Sequence, residues 1–244
     1  MTKPEFALIQ GDARQPALAR RLEGAGYRTQ LLPAPERWKY ENLPPPGTRL
    51  PVPKASPALR QAAEAQGFLL MEYGDRPDFK AENGHITAEN ALCLAMLRGV
   101  VLRDAPVLVL GYGATGSALS QKLLALGAKV WVAARRPDVL EAVGRSGCCP
   151  VPLEGIESCL SGVVLVFNTV PAMVLPASRL QLLPPEAQVL DLASSPGGTD
   201  FTAARAMGLD AVPALGLPGK MTPEPAASAI FHTLMQMLRE EESV

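Results

Sequence analysis

An α/β fold, a doubly wound parallel sheet with a smaller α/β domain ahead of it, is predicted by three observations. Short apolar runs alternate with helix-like segments along most of the 244 residues. In the middle of the chain, PVLVLGYGATGSALSQKLLALGAKVWVAARR at 106–136 supplies a buried strand, a glycine turn, a helix and a second strand in unbroken order. Loops rich in Pro, Gly and Asn then follow the later strands, the position where open α/β sheets bind ligands. Together these define a Rossmann-type sheet.

Taken in order, Phe6 to Gln10 is a strand, Pro16 to Glu23 a helix and Tyr27 to Leu32 a second strand. The eight prolines from Pro33 to Pro57 block regular hydrogen bonding, so an ordered but irregular surface connection is expected between Leu32 and Ala58. A helix from Ala58 to Ala65 and a strand from Phe68 to Tyr73 complete the small unit, and Gly74 to Gly84 reads as a polar loop. Thr87 then starts a helix to about Leu102. Its apolar positions surround most of its circumference, which marks a buried helix between domains.

Val107 to Leu110 suit a strand covered on both faces, and Gly111, Gly113 and Gly116 follow at G-x-G-x-x-G spacing. Gly111 permits the tight turn, Gly113 removes a Cβ from the path of a pyrophosphate, and Gly116 lets the helix lie close to its strand. With Tyr112, Ala114 and Thr115 they form the expected cofactor turn, facing the positive end of the helix whose stripe is Leu119, Leu123 and Leu126.

The second strand, Lys129 to Ala134, ends in Ala134, Arg135 and Arg136, where NAD enzymes carry an acid for the ribose 2′-hydroxyl. A guanidinium holds a 2′-phosphate by charge-assisted hydrogen bonds, so the pattern indicates NADP. The alternative, two solvated loop charges ahead of Pro137, stands beside it. Beyond lie a helix from Pro137 and strands at Gly162–Phe167, Gln188–Leu192 and Ala211–Pro213. Three loops at strand ends, Asn168-Thr169-Val170-Pro171, Ser194–Gly198 and Gly216–Lys220, are expected to ring the cofactor. The last helix, Glu224 to Arg239, has one apolar face to cover. The domains therefore read as 1–86, a helix at 87–105, the dinucleotide-binding domain at 106–222 and a C-terminal helix at 223–244 that packs back on the chain.

Composition narrows the function further. With 23 basic and 24 acidic residues the net charge is -1, which gives no general field for nucleic acid or an anionic membrane. Arg98 and Pro171 interrupt the longer apolar runs, and the start MTKPEFALIQGDARQ has no h-region, so a cytoplasmic protein is expected. Four cysteines in no C-x-x-C pair, with two histidines, offer neither a metal site nor a hydrolytic triad.

GDARQ at 11–15, the GYGATG turn, NTVPAMVL at 168–175, DLASSPGGTDF at 191–201 and GLPGK at 216–220 together resemble the NADP-binding A subunit of dipicolinate synthase. The likeness covers the first 30 residues and nearly everything from Phe68 onward. Family members are longer between those stretches, and Ser195 stands where the family carries Arg. The resemblance implies a spore-forming bacterium, NADP as hydride acceptor, a flavoprotein-like second subunit and an oligomeric assembly. It also implies oxidation of the ring made from pyruvate and aspartate semialdehyde to pyridine-2,6-dicarboxylate.

On that resemblance Glu89, in TAEN at a helix start, is the candidate proton-transfer group. Arg14, Ser194, Gly197, Gly198 and Lys220 are the candidates for holding the two carboxylates. Two other readings remain open: an NADP-dependent reductase of the shikimate-dehydrogenase or glutamyl-tRNA-reductase kind, and a non-catalytic NADP-binding subunit. The reductase reading needs a catalytic Lys-Asp pair or a nucleophilic Cys in the first domain. Lys54 and Lys80 are the lysines there after Lys3 and Lys39, and no cysteine precedes Cys93.

Overall fold

The chain forms two parallel sheets, each with its own core. In the computed structural model, which describes residues 5–33 and 43–243, the chain divides into Met1–Asn83 with Pro218–Val244, and Gly84–Leu217. The first unit begins with β1 (Glu5–Ile9), α1 (Arg14–Gly24) and β2 (Arg28–Leu32), followed by β3 (Arg49–Val52), α2 (Pro57–Gln66) and β4 (Leu69–Glu72). All four strands are parallel, in the order β2-β1-β3-β4.

Phe6, Ala7 and Leu8 make β1 the buried centre, and Leu18 and Leu22 give α1 its buried stripe. α2 is delimited by its own chemistry: the Ser56 hydroxyl accepts from the Leu59 N–H, Pro57 sits in the first turn, and Gly67 takes the left-handed cap at φ 75°.

β3 is a correction. It lies inside the proline-rich stretch expected to be irregular, of which residues 34–42 fall outside the described residues. The Leu69 N–H bonds Thr48 O and the Tyr73 N–H bonds Val52 O, so alternate residues of β3 face β4. Pro51 therefore turns its missing N–H toward β1, with which β3 is in ladder register, among the described residues, at Phe6–Arg49. A proline is tolerated on the sparsely bonded side of a strand.

α3 (Pro77–Leu97) begins ten positions before the expected Thr87, within the stretch expected to be a polar loop, and ends before Leu102. Pro77 and Asp78 are ordinary first-turn residues. Gly84, a loop signal by sequence, is there because a Cβ would sit 2.8 Å from the Ala114 carbonyl carbon. Ala88, Ala91, Leu92 and Ala95 are buried, whereas Leu97 and Val101 are exposed, so the apolar circumference is not covered throughout.

The second unit continues with β5 (Pro106–Leu110), α4 (Ala114–Ala125), β6 (Lys129–Ala134), α5 (Pro137–Arg145), β7 (Cys149–Pro152), α6 (Glu157–Leu160), β8 (Leu165–Asn168), α7 (Ala177–Leu180), β9 (Gln188–Asp191), α8 (Phe201–Ala206) and β10 (Asp210–Pro213). The parallel order β10-β9-β8-β5-β6-β7 is that of a doubly wound dinucleotide-binding sheet. Strand order reverses between β5 and β8, which places the glycine turn at the switch point.

Val107 to Leu110 are fully buried, as a strand covered on both faces requires. Leu108 and Leu110 join Val166, Ile156, Leu160 and Leu180 in one core cluster. Each such side chain contributes about 1.5–3 kcal/mol by burial. β7 is an edge strand and tolerates Pro150 and Pro152 for that reason.

α9 (Leu217–Met221) and α10 (Pro223–Glu242) close the chain. The GLPGK stretch expected as a loop is thus largely a helical turn, and from Pro218 it belongs to the first unit instead of the second. α10 lays Ala227, Ile230, Leu234 and Leu238 against the first unit and packs along α1. Its far end is pinned by Arg76, which donates from both terminal nitrogens to Glu240 at 2.8 Å.

Candidate functional site

The glycine turn is held in place by packing that only glycine permits at two of its three positions. Gly111 adopts φ 94°, and a Cβ there would fall 2.4 Å from the Thr169 hydroxyl. A Cβ on Gly116 would meet the Gly111 carbonyl oxygen at 2.2 Å, so α4 and β5 approach backbone to backbone. Gly113 differs. Its φ of −79° suits any residue, and nothing lies within 4 Å of the place a Cβ would occupy. Gly113 leaves an open, exposed cradle at the start of α4, where the first-turn N–H groups and the helix dipole favour an anion. Tyr112 and Thr115 are half-buried beside it and Ala114 is exposed.

At the end of β6, Ala134 is buried while Arg135 and Arg136 are exposed. Arg136 lies 3.6 Å from Asp138, and Arg135 makes no ion pair among the described residues. Both guanidiniums therefore face solvent, one neighbouring strand away from the glycine turn.

The third component is a hydrogen-bonded relay that sequence reasoning missed. Thr169 donates its hydroxyl to Leu110 O at 2.8 Å, tying the β8 loop to the strand that precedes the glycine turn. Asn168 is fully buried; its Oδ1 accepts the Val170 N–H and its Nδ2 donates to Asp191 Oδ1 at 2.9 Å. Asp191, only 2% exposed, also accepts the N–H groups of Ala193 and Gly198 at 3.0 and 2.9 Å. A buried carboxylate needs such donors. Its signal in the sequence was a lone acid ending an apolar strand run. Val170 and the exposed Pro171 complete the loop.

This relay revises two of the expected carboxylate-holding groups. The Gly198 N–H is committed to Asp191, and the Gly197 N–H to Ser194 O at 2.8 Å, so neither is available to a ligand. A Cβ on Gly198 would strike Asn168 Nδ2 at 2.5 Å, which explains that glycine by packing. Ser194 is exposed on the same loop, whose Ser195–Pro196 bond is cis.

In the first unit, Arg14 holds Asp12 through Nε and Nη2 at 2.7–3.0 Å, so two of its donor nitrogens are already engaged. Burial pulls the Asp12 carboxyl up, but the Arg14 hydrogen bonds and charge outweigh it and hold the group below its ordinary value. The backbone of Gly219 closes on this pair, since a Cβ there would lie 2.2 Å from Asp12 Oδ2. GDARQ and GLPGK, about 200 residues apart in the chain, thus meet inside one unit, with Lys220 exposed beside the contact.

Glu89 requires a correction. It lies in the interior of α3 instead of its first turn, so the helix start lends it nothing. Its carboxylate is exposed and accepts from Lys122 Nζ at 2.7 Å.

No family model matches the chain. The A subunit of dipicolinate synthase from Bacillus subtilis (strain 168) is 33% identical over 180 residues, which cover 73% of this chain and 60% of that protein. The match thus spans less than two thirds of that relative's own length. The crystal structure of the dipicolinate synthase A subunit from Bacillus halodurans superposes with a TM-score of 0.84 at 26% identity, over 98% of this chain and 99% of that one. The chain is a relative of the dipicolinate synthase A subunit. The A chain of the Bacillus subtilis dipicolinate synthase crystal structure gives a TM-score of 0.86 at 25% identity, covering 100% of this chain and 98% of that one. A transhydrogenase from Sinorhizobium meliloti shares the fold, with a TM-score of 0.74 at 15% identity over 97% and 92% of the two chains. Among the described residues no helix is long and apolar enough to cross a membrane.

Proposed function

We propose that this relative of the dipicolinate synthase A subunit is an NADP-dependent oxidoreductase that converts a dihydro- or hydroxytetrahydro-dipicolinate ring to pyridine-2,6-dicarboxylate. The observation that carries the reading is the open cradle over Gly113 at the switch point of the β10-β9-β8-β5-β6-β7 sheet, next to a strand that ends in two arginines and no acid. The cofactor fits the residues present. The Gly113 backbone and the first turn of α4 would hold its pyrophosphate, and Arg135 and Arg136 would hold its 2′-phosphate. Asn168 to Pro171 form the rim beside the glycine turn. When bound, NADP supplies a two-electron acceptor.

Loss of a hydride and a proton from the dihydropyridine yields the aromatic ring, so the protein's part is chiefly orientation of the ring. A hydroxylated substrate loses water first. Glu89, exposed and paired with Lys122, is not carried into this mechanism, and the proton leaves to solvent. A second subunit, flavoprotein-like in the family this chain resembles, is proposed as the partner, in an oligomeric cytoplasmic assembly serving sporulation.

The test supplies pyruvate, aspartate semialdehyde, the condensing enzyme and NADP, with and without a second subunit. The expected result is dipicolinate with one NADPH formed per molecule. Absence of both products under either condition, with NADP still bound, would leave the chain a non-catalytic NADP-binding subunit.

A further inference from the structure

The first unit has its own switch point. In the order β2-β1-β3-β4 the chain reverses between β1 and β3, and a cavity of about 540 Å³ opens at their carboxyl ends. Ligands of open α/β sheets bind at such a place, in pockets of roughly 300–1,000 Å³ that are mostly apolar with a few polar groups. Leu18, Val52 and Leu59 supply apolar wall, and Gln15, Lys54 and Tyr73 bring polar groups to it.

Lys54 is the distinguishing residue. It is exposed at the cavity edge and makes no ion pair among the described residues. The acid whose titration registers its charge, Asp75, is already held by Lys80 at 2.7 Å. Arg14, by contrast, lies outside the lining and is bound to Asp12. The Tyr73 phenol, which burial pushes up to about 12, is protonated at neutral pH, as any tyrosine is, and brings a hydroxyl to the wall.

We propose that this cavity binds a cyclic carboxylate, its ring against the Leu18, Val52 and Leu59 wall and one carboxylate on the Lys54 ammonium. The identity of the ring as a pyridine dicarboxylate precursor rests on the function proposed above. The location and the Lys54 contact do not. A carboxylate entering an apolar cavity needs a cation or donors, and Lys54 offers the cation without breaking an existing pair.

The experiment titrates the full-length protein with pyridine-2,6-dicarboxylate and, separately, pyridine-2-carboxylate by calorimetry. Lys54→Met is expected to weaken binding at least tenfold, Lys54→Arg to recover most of it, and Leu59→Trp, which fills the cavity, to abolish it. NADP affinity stays unchanged in all three. Wild-type affinity in both Lys54→Met and Leu59→Trp, or no binding of either acid by the unaltered protein, overturns the proposal. The two readings separate in the coupled assay. Normal dipicolinate formation by Lys54→Met and Leu59→Trp refutes the cavity and leaves the reaction standing. Lys54-dependent carboxylate binding without any turnover refutes the reaction and leaves the cavity.

Discussion

The two sheets reach their switch points by the same βαβ logic and finish them differently. In the second unit the loops after β5, β8 and β9 are wired to one another through Thr169, Asn168 and Asp191, and glycines sit wherever a Cβ would break the wiring. In the first unit the loop after β1 satisfies itself, Asp12 with Arg14, and leaves a cavity beside it. One switch point is preorganised as a rigid rim around an anion cradle. The other is a pocket with a mostly apolar wall, at whose edge Lys54 makes no ion pair among the described residues. Rigid, satisfied loops suit an invariant cofactor, and a cavity with an uncommitted lysine suits a changing small molecule.

The sharpest way to break this contrast is to remove the acid that wires the second unit. Asp191→Ala leaves the Ala193 and Gly198 N–H groups buried without an acceptor, at about 1–3 kcal/mol for each unsatisfied group, while Asn168 Nδ2 keeps only Val170 O. The expected loss is about 3 kcal/mol of stability in the second unit, read by urea unfolding, together with loss of NADP binding. Asp191→Asn keeps one acceptor and is expected to lose less. A variant as stable as the parent would show that the loops after β8 and β9 are independent.

The glycine turn separates packing from binding within one motif. Gly116→Ala drives a Cβ into the Gly111 carbonyl and should cost both stability and NADP affinity. Gly113→Ala meets no protein atom, so its melting temperature should stay at the parent value. Its NADP affinity is expected to fall at least tenfold, about 1.4 kcal/mol, because the methyl group occupies the cradle. Equal NADP affinity in Gly113→Ala would remove the pyrophosphate from that position.

Arg135→Asp addresses the choice of cofactor alone. An exposed Arg with no ion pair among the described residues contributes little to folding, so stability should be unaffected. NADP affinity should drop about tenfold while NAD affinity rises, measured by titration of both nucleotides. Tighter binding of NAD than NADP by the unaltered protein would contradict the 2′-phosphate reading.

The second unit is far more legible in the sequence than the first, and the reason is chemical. A buried parallel strand is a continuous apolar run, and a glycine turn carries its spacing in plain view, so β5, β6, β9 and β10 can be placed within a residue, whereas β8 begins three residues later than expected. β3 and β7 are hidden by prolines, because a local rule against proline in strands takes no account of an edge or a one-sided ladder. Gly84 misleads for a related reason: a glycine needed for close approach to Ala114 looks the same in sequence as one needed for a turn. With it go the start of α3 and the argument for Glu89. Asp191 is visible as a residue, but its donors, Asn168 at the end of β8 and Ala193 and Gly198 in the loop after β9, are brought together by a fold that is a tertiary fact. The Asp12–Gly219 contact is hidden by its separation in the chain.

The smallest expected effect probes the cavity from the side of pH. Tyr73 is buried against Phe79, edge to face at 4.8 Å between ring centroids, and burial raises its phenol to about 12, with the Arg14 charge opposing and Asp12 adding to the shift. An unfolded tyrosine ionises near 10, so between those values the unfolded chain releases a proton that the folded one keeps. Tyr73 therefore contributes stability that is fully present below pH 10 and is lost as pH rises through about 12. By about pH 11 the first unit should lose about 1 kcal/mol through this group alone. Tyr73→Phe isolates it, because the other tyrosines and lysines titrate equally in both proteins. Denaturant unfolding of the pair across alkaline pH should show the difference growing above pH 10. Parallel curves would mean that the phenol is solvated, and that the wall it forms is wetter than a carboxylate-binding cavity requires.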